Sequence, residues 1–130
     1  MPVEVHIVTP IREVWTGDVQ ELIARGVDGE VGILGGHAPL LVQLAIGPLR
    51  MLTEGGESRA VVDGGFLHVS THEGVTRADV LASHAELERE IDVDAARARL
   101  ADLEGRSIED DDEVAKGEIA KAAARIKLAG

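Results

Sequence analysis

Histidines are the side chains of this sequence that could most readily carry acid–base or metal chemistry. They are spread along the chain, at His6, His37, His68, His72 and His84. Only His68 and His72 are close together, on a predicted strand and the turn after it, whereas helical metal motifs place two histidines four residues apart on one face. No serine stands in a G-x-S-x-G nucleophile motif. The spacing therefore predicts neither a metal site nor a catalytic site.

The most unusual backbone chemistry lies between Gly29 and Leu41, with the sequence G-E-V-G-I-L-G-G-H-A-P-L-L. Glycine adopts positive φ angles without steric cost. Pro39 fixes its own φ and favours an extended conformation at Ala38. The pattern predicts a tight, shaped loop that enters a strand at Leu40–Leu44, apolar enough to be buried on both faces. Such a loop indicates a docking surface.

A glycine-rich loop is also typical of phosphate binding. A P-loop, however, needs a Lys and a Ser or Thr directly after the glycines, and a helix that starts at the phosphates. Here His37-Ala38-Pro39 follows, and the chain then has the pattern of a strand. The segment does not predict a nucleotide site.

Composition excludes several classes of partner. The 130 residues carry a net charge of −11, whereas nucleic acids and anionic lipid surfaces select for patches of Lys and Arg. Trp15 and Phe66 are the only aromatic residues, so the chain lacks stacking platforms for bases. It has no cysteine, which excludes disulfides and thiol chemistry. We expect an intracellular chain without signal peptide or membrane-spanning segment.

The composition changes near Ala85, which predicts one domain over residues 1–84 and a second over residues 85–130. Most glycines and all four prolines precede the change. Apolar and polar residues alternate in Val3–Ile7, as in a half-buried strand. Turns are predicted at Gly17-Asp18, at Val27-Asp28-Gly29, at Gly47-Pro48, at Glu54–Glu57 and at Thr71–Gly74, between short strands. This spacing indicates an antiparallel β-sandwich or flattened barrel.

The second part has the period of a helix. Asp92 is a suitable N-cap, Gly105 a suitable helix end, and Asp111 or Asp112 can cap a second helix. The apolar positions fall on one stripe of each helix, at Val93, Ala96, Leu100 and Leu103 and then at Ala115, Ile119, Ala122 and Ile126. The fold class is therefore α+β, a β-sandwich followed by an antiparallel two-helix hairpin. The alanine-rich seam buries little apolar area, so we expect a weakly held hairpin that is able to leave the sandwich.

The sequence resembles the epsilon subunit of bacterial F-type ATP synthases. Residues 29–41 are similar to the family signature G-E-L-G-I-L-P-G-H-A-P-L-L, with Gly35 where the family usually has proline. Further matches follow in the same order, V-T-P at Val8–Pro10, G-G-F-L-H-V at Gly64–Val69 and E-I-D-V at Glu90–Val93. The resemblance covers the chain from end to end.

The resemblance implies a non-catalytic role. In that family the sandwich rests on the membrane-embedded ring of c subunits and grips the gamma subunit, as part of the rotating stalk. Glu30 and His37, with the neighbouring Gly29 and Gly36, match loop positions associated with the c-ring contact. The implied location is the cytoplasmic face of the bacterial cell membrane, without direct insertion.

The resemblance also implies a regulatory tail. In bacterial relatives the helices can extend along gamma into the alpha/beta catalytic head and inhibit ATP hydrolysis. An extended tail here would offer basic residues to acidic segments of the head, at Lys116, Lys121, Arg125 and Lys127.

Some relatives bind ATP on the folded hairpin through a motif I/L-D-x-x-R-A. The corresponding residues here are Ile91-Asp92-Val93-Asp94-Ala95-Ala96, with alanine in place of the arginine. Glu86, Ile91 and Asp92 are the remaining candidate nucleotide positions. Because the arginine is missing, we expect no cofactor and at most weak ATP binding.

Two functions from other classes remain as alternatives. One is a free-standing ATP-sensing module of the same fold. The other is a small β-sandwich hydrolase that uses Asp63, His68 and His72.

Overall fold

Eight strands and two α-helices make up the part of the chain that a computed structural model describes, residues 1–106 and 108–130. The strands are β1 (Val3–Val8), β2 (Glu13–Val19), β3 (Glu21–Gly26), β4 (Gly29–Leu34), β5 (Leu40–Thr53), β6 (Gly56–His72), β7 (Val75–Leu81) and β8 (Ala85–Leu87). A 3-10 turn at Glu88–Glu90 leads to the helices α1 (Val93–Glu104) and α2 (Glu113–Ala129). The predicted α+β class, a sandwich followed by a helical hairpin, is confirmed.

The strands form one sheet that folds over on itself. They are hydrogen bonded in the order β2-β1-β7-β6-β5-β3-β4, and β8 pairs with the first part of β6. β1 and β7 run parallel, and the other pairs are antiparallel. The two long strands β5 and β6 belong to both layers. β7 pairs with the second half of β6 in the first layer, while β8 and β3 lie beside β6 and β5 in the second.

Glycine and proline place the bend between the layers. Gly64 and Gly65 adopt φ angles of +79° and +116° inside β6, which glycine tolerates and other residues seldom do. On β5 we predicted that Gly47-Pro48 separates two strands, and this was wrong, because β5 is continuous. The pairing with β3 is interrupted between Leu44 and Leu49. The missing backbone N–H of Pro48 therefore costs no hydrogen bond to β3.

A second predicted turn, at Gly17-Asp18, was also wrong. β2 runs through both residues to Val19. A side chain on Gly17 would meet the Trp15 ring at 2.8 Å, so Gly17 is the place where the indole lies over the strand. The turns predicted at Val27-Asp28-Gly29, at Glu54–Glu57 and at Thr71–Gly74 are present but shorter, at residues 27–28, 54–55 and 73–74, because the flanking strands extend into them.

The hydrophobic core belongs to the sandwich alone. Its buried cluster runs along the inner faces of both layers and ends at Leu87. The largest fully buried members are Ile7, Leu22, Ile33, Leu49, Met51 and Leu67. β8 contributes Ala85 and Leu87, so the sheet continues just past the change in composition. The predicted burial of Leu40–Leu44 on both faces was wrong, because Leu41 is 66% exposed.

The helices begin where the sequence predicts. The side chains of Asp92 and Asp112 each accept a hydrogen bond from a backbone N–H three residues on, at 3.0 Å, and so cap α1 and α2. The seam of the hairpin buries Ala96, Leu103 and Ala122. α2 packs on β5 and β6, and α1 packs on α2. No helix in the described ranges is long and apolar enough to span a membrane.

Candidate interaction surfaces and the docked hairpin

The glycine-rich segment is an edge strand followed by a short loop. Gly29–Leu34 forms β4, which pairs with β3 and ends the sheet, and only residues 35–39 are loop. The prediction of one loop from Gly29 onward was therefore wrong. Val31 and Ile33 alternate with Glu30 and Gly32, which is a strand pattern, and Ile33 is fully buried.

The loop itself has a defined conformation. Gly36 has a φ of +84° and its N–H donates to the Thr76 hydroxyl at 2.8 Å. The His37 N–H donates to the Leu34 carbonyl at 3.0 Å. Gly35, which replaces the usual proline, lies so close to Met1 that an added Cβ would collide with its backbone. The missing side chain therefore makes room for the N-terminal residue.

Glu30 and His37 lie at opposite ends of this edge. Glu30 is near the start of β4, and His37 lies three residues beyond its end at Leu34. The strand from Glu30 to Leu34 alone spans about 13 Å at 3.3 Å per residue. Glu30 is exposed and His37 is half-buried. Gly29 and Gly36 mark the same two ends. The four predicted contact residues thus line one edge of the molecule rather than one compact loop.

The outer face of the first layer carries an exposed apolar group. Phe66 on β6 pairs directly with Leu81 on β7, and Leu41 lies one step further along on β5. These side chains are 48%, 51% and 66% exposed. Neighbouring large apolar side chains left in water are typical of protein interaction sites.

The outer face of the second layer is covered by α2. Val61 is fully buried but lies outside the core cluster, because its side chain points away from the core, toward the helix. Arg125 of α2 fixes this contact: its guanidinium donates to both Asp63 carboxylate oxygens at 2.8 and 3.0 Å and to Glu86 at 2.5 Å. We call Asp63, Glu86 and Arg125 the buried ion triad.

The buried ion triad is nearly closed to water. The side chains of Arg125, Asp63 and Glu86 are 12%, 5% and 21% exposed. Burial opposes the charge of Arg125, but the hydrogen bonds and charges of Asp63 and Glu86 outweigh it and raise the pKa of Arg125. The arginine also donates to the Lys121 carbonyl at 3.0 Å. Such a triad is stable only while all of its members stay together.

Two further arginines hold the segment between sandwich and hairpin. Arg12 makes a bidentate pair with Glu90, with both bonds at 3.0 Å. Arg59 makes a bidentate pair with Glu88 at 2.7 and 2.8 Å. The hydrogen bond from Arg12, and then that from the Leu87 N–H, lower the pKa of Glu90. The 3-10 turn is therefore fixed to the sandwich, and the first residues free to hinge are 91 and 92.

The basic residues predicted to contact a catalytic head differ in their availability. Lys116 and Lys127 are exposed on α2, and Lys121 is half-buried beside Glu118. Arg125 is committed to the buried ion triad. In this conformation the tail therefore offers three of the four basic side chains, and the fourth becomes free only when α2 leaves the sheet.

Two of the three candidate nucleotide positions border a cleft of about 370 Å³ between hairpin and sandwich, and the third, Ile91, is not part of its lining. Glu86 and Asp92 line it, as does Ala95, which stands at the missing arginine. The lining contains five carboxylates, Asp63, Glu86, Glu90, Asp92 and Glu118, against three basic side chains, Arg99, Lys121 and Arg125. Two carboxylates already neutralise Arg125. Excess negative charge disfavours a polyphosphate here.

No catalytic arrangement unites the residues of the hydrolase alternative. Asp63 is bound by Arg125. His68 lies five residues further along β6, beyond the bend at Gly64 and Gly65. His72 is almost fully exposed beside Glu73. Across residues 1–106 and 108–130, no group of three or more His, Cys, Asp or Glu is placed to hold a metal ion.

The buried ion triad is the feature that sequence reasoning missed. Asp63 and Glu86 precede Arg125 by 62 and 39 residues, so no local motif connects them. The one available signal was an arginine among the small residues of the helix stripe, where only a buried carboxylate partner could make its burial tolerable.

Comparisons with known proteins agree on one family. A family model described as "ATP synthase, Delta/Epsilon chain, beta-sandwich domain" matches residues 2–88. The chain is 43% identical over 128 residues to the ATP synthase epsilon chain of Thermobifida fusca, covering 96% of this chain and 90% of that one. It is 50% identical over 88 residues to that of Frankia casuarinae, covering 67% of this chain and 99% of that one.

A solved structure extends the similarity to the whole fold. A chain in the cryo-EM structure of the Euglena gracilis mitochondrial ATP synthase, which contains OSCP, F1 and the c-ring, superposes with a TM-score of 0.76. The two chains are 27% identical, and the match covers 98% of this chain and 80% of that one.

Proposed function

The chain belongs to the ATP synthase delta/epsilon family, and on that premise we propose that it is the epsilon-type subunit of the central stalk of a proton-translocating ATP synthase. It is not catalytic, and it couples rotation of the c-ring to the catalytic head. The identity to the Thermobifida fusca epsilon chain carries this conclusion, because it runs over both sandwich and hairpin. The subunit works at the cytoplasmic face of a bacterial membrane.

The gamma subunit docks on the exposed apolar face formed by Leu41, Phe66 and Leu81. α2 occupies the opposite face, so this is the broad sheet surface left for a permanent partner. Apolar side chains gathered at one place supply the core of a protein interface. Phe66→Ser should weaken gamma binding at least ten-fold, whereas Val114→Ser, at a still more exposed apolar residue on α2, should leave it unchanged.

The c-ring contacts the β4 edge, with Glu30 and His37 near its ends. An edge strand presents unpaired backbone groups, and this one presents few charges that would lose water on contact. Glu30→Gln together with His37→Ala should lower proton-driven ATP synthesis and leave hydrolysis by the detached head unchanged. Glu104→Gln, at an exposed carboxylate on α1, is the matched control.

The hairpin inhibits ATP hydrolysis when it is extended, and the docked conformation is the state that does not inhibit. When the buried ion triad opens, α2 gains Arg125 as a fourth basic residue beside Lys116, Lys121 and Lys127, and the extended tail can reach acidic segments of the head. Because Arg12 and Arg59 hold the 3-10 turn, the hinge lies at Ile91-Asp92.

ATP is not required for this role. The cleft beside Glu86 and Asp92 carries more carboxylates than bases, which opposes the alternative of a free-standing ATP-sensing module. Isothermal titration of the purified chain should show no saturable ATP binding at up to several millimolar. Submicromolar binding would favour the sensing module instead.

Add-back to an epsilon-depleted catalytic head tests the proposal. The shortened chain is residues 1–91, which retains the whole core cluster and the clamps at Glu88 and Glu90. We expect both forms to bind the gamma-containing head and only the full chain to lower its ATP hydrolysis. Failure of both forms to bind would refute the stalk role, whereas equal rates with both bound would refute only the brake.

A further inference from the structure

A small basic groove lies where the end of α2 meets the outer face of the second layer. Its volume is about 210 Å³. The rim carries Arg25, Arg50, Arg59 and Lys127, and the floor includes Pro48 and Leu128. No acidic residue lines it, although the chain has 24 acidic and 13 basic residues. The groove thus reverses the overall charge of the molecule.

Three strands and a helix end bring these basic residues together. Arg50 and Arg59 are direct partners across β5 and β6. The Arg25 side chain lies over Gly47, with its Cδ 3.5 Å from where a Cβ would stand. Lys127 comes from the last turn of α2. Like charges directly opposite each other destabilise a sheet, so this arrangement carries a cost.

Neighbouring carboxylates neutralise only half of the rim. Glu57 contacts Arg50 at 2.6 Å and Glu88 contacts Arg59 at 2.7 Å. Across the described residues, Arg25 and Lys127 have no carboxylate oxygen within 4.0 Å. Arg25, whose cross-strand partner on β4 is Glu30, and Lys127 therefore line the groove without an ion pair, beside an apolar floor.

We propose that the basic groove binds a small organic oxyanion, a phosphate or carboxylate carried on a short apolar group. Arg25 and Lys127 contact the oxyanion, and the floor at Pro48 and Leu128 accepts the apolar group. The volume of about 210 Å³ lies below the roughly 300 Å³ at which pockets for larger ligands begin, so the groove is too small to enclose a nucleoside triphosphate. This site lies apart from the acidic cleft between hairpin and sandwich.

Binding at this groove stabilises the docked hairpin. The ligand connects Lys127 on α2 to Arg25 on β3, a contact that exists only while the hairpin is docked. A ligand that binds one state alone shifts the equilibrium toward that state. The inference rests on the groove and not on the stalk function, so the two can fail separately.

Titration of the full-length, ¹⁵N-labelled chain with phenyl phosphate tests the inference. Ionic strength is held constant with chloride. We expect saturable millimolar binding, with amide shifts at Gly47 and at residues 124–128. Phenol and inorganic phosphate, which each supply half of the ligand, should bind at least five-fold more weakly.

Variants identify the site. Arg25→Gln and Lys127→Gln should each weaken phenyl phosphate binding about five-fold, the upper range for one exposed charged contact. Arg25→Lys keeps the charge and should retain most of the affinity. Arg77→Gln, on β7 beside Asp79, is the matched control and should change nothing.

Three results would overturn the inference. They are shifts that do not saturate, shifts that spread to the surroundings of Arg77 and Arg106, and affinity unchanged by both glutamine variants. If Arg25→Gln disturbs the fold, Lys127→Gln on the helix surface still decides the matter.

Discussion

Replacing Arg125 by glutamine should release the hairpin while the sandwich stays folded. Among the residues that the structure describes, the substitution removes the only base that forms an ion pair with Asp63 and Glu86, and it leaves two carboxylates under α2. Their burial was tolerable only because Arg125 compensated it. Undocking returns both carboxylates to water, so their unfavourable burial is relieved without unfolding of the core.

The magnitude follows from what holds α2 on the sheet. Breaking a buried pair costs about 3–5 kcal/mol when the remaining charge must stay buried. Apart from the triad, docking rests on Val61 and on half-buried residues of an alanine-rich helix, which contribute little area. A loss of even about 2 kcal/mol changes the ratio of docked to undocked molecules roughly 30-fold. Arg125→Lys keeps the charge but not the bidentate geometry and should be intermediate.

The distance between two spin labels, one on the sandwich and one on α2, gives the population of docked molecules directly. Because the chain has no cysteine, Thr71→Cys and Ala120→Cys place two spin labels uniquely, on the sandwich and on α2. The parent chain should show one short, narrow distance distribution, and Arg125→Gln a broad one at longer distance. Arg106→Gln removes an exposed pair with Asp102 and should resemble the parent.

An unchanged distance distribution in Arg125→Gln would refute this reasoning. It would mean that apolar contact alone fixes the hairpin. Complete loss of the cooperative thermal transition would contradict the expectation that the sandwich stays folded. That expectation rests on the core cluster, which ends at Leu87 and contains no hairpin residue.

Three further predictions concern single positions. Gly117→Ala should raise the thermal stability of the docked hairpin by about 1 kcal/mol in unfolding experiments, because it improves helix propensity and its Cβ would meet nothing within 4 Å. Gly65→Ala should destabilise the sandwich in urea titrations by more than about 2 kcal/mol, because it combines a φ of +116° with a collision against the Leu81 carbonyl. Because the pKa of Glu90 is lowered in the folded chain, its pair with Arg12 stabilises the fold above the ordinary glutamate pKa, and that stability is lost as the pH falls through the lowered value. Glu90→Gln should therefore flatten the decline of stability in acid.

Local chemistry made much of the fold predictable. Asp92 and Asp112 cap helices because their short side chains reach backbone N–H groups three residues on, and this depends on nearby sequence alone. The hairpin turns at Gly55 and Gly74 follow from the same kind of local preference. The helix stripes were also predictable, because a 3.6-residue period fixes which positions share a face.

The errors arose where tertiary contacts override local preference. Gly17 looked like a turn residue, but it gives room to the Trp15 ring on a strand. Pro48 looked like a strand break, but it lies where the pairing between β5 and β3 is interrupted. Neither partner can be inferred from spacing along the chain.

The candidate surfaces show the same division. The glycine-rich segment could be located from the sequence, although its division into edge strand and loop could not. The buried ion triad was invisible because its members come from β6, β8 and α2, and the sequence suggested a separate role for each. Only folding makes Asp63, Glu86 and Arg125 one group.

Proton-driven ATP synthesis tests the stalk function most directly. Membrane vesicles with an epsilon-depleted synthase would be given the full-length chain, and ATP formation would be measured under an imposed proton gradient. Restored synthesis that depends on Phe66 is the result we predict. The same rate of synthesis with and without the chain, when the chain is bound, would contradict a coupling role.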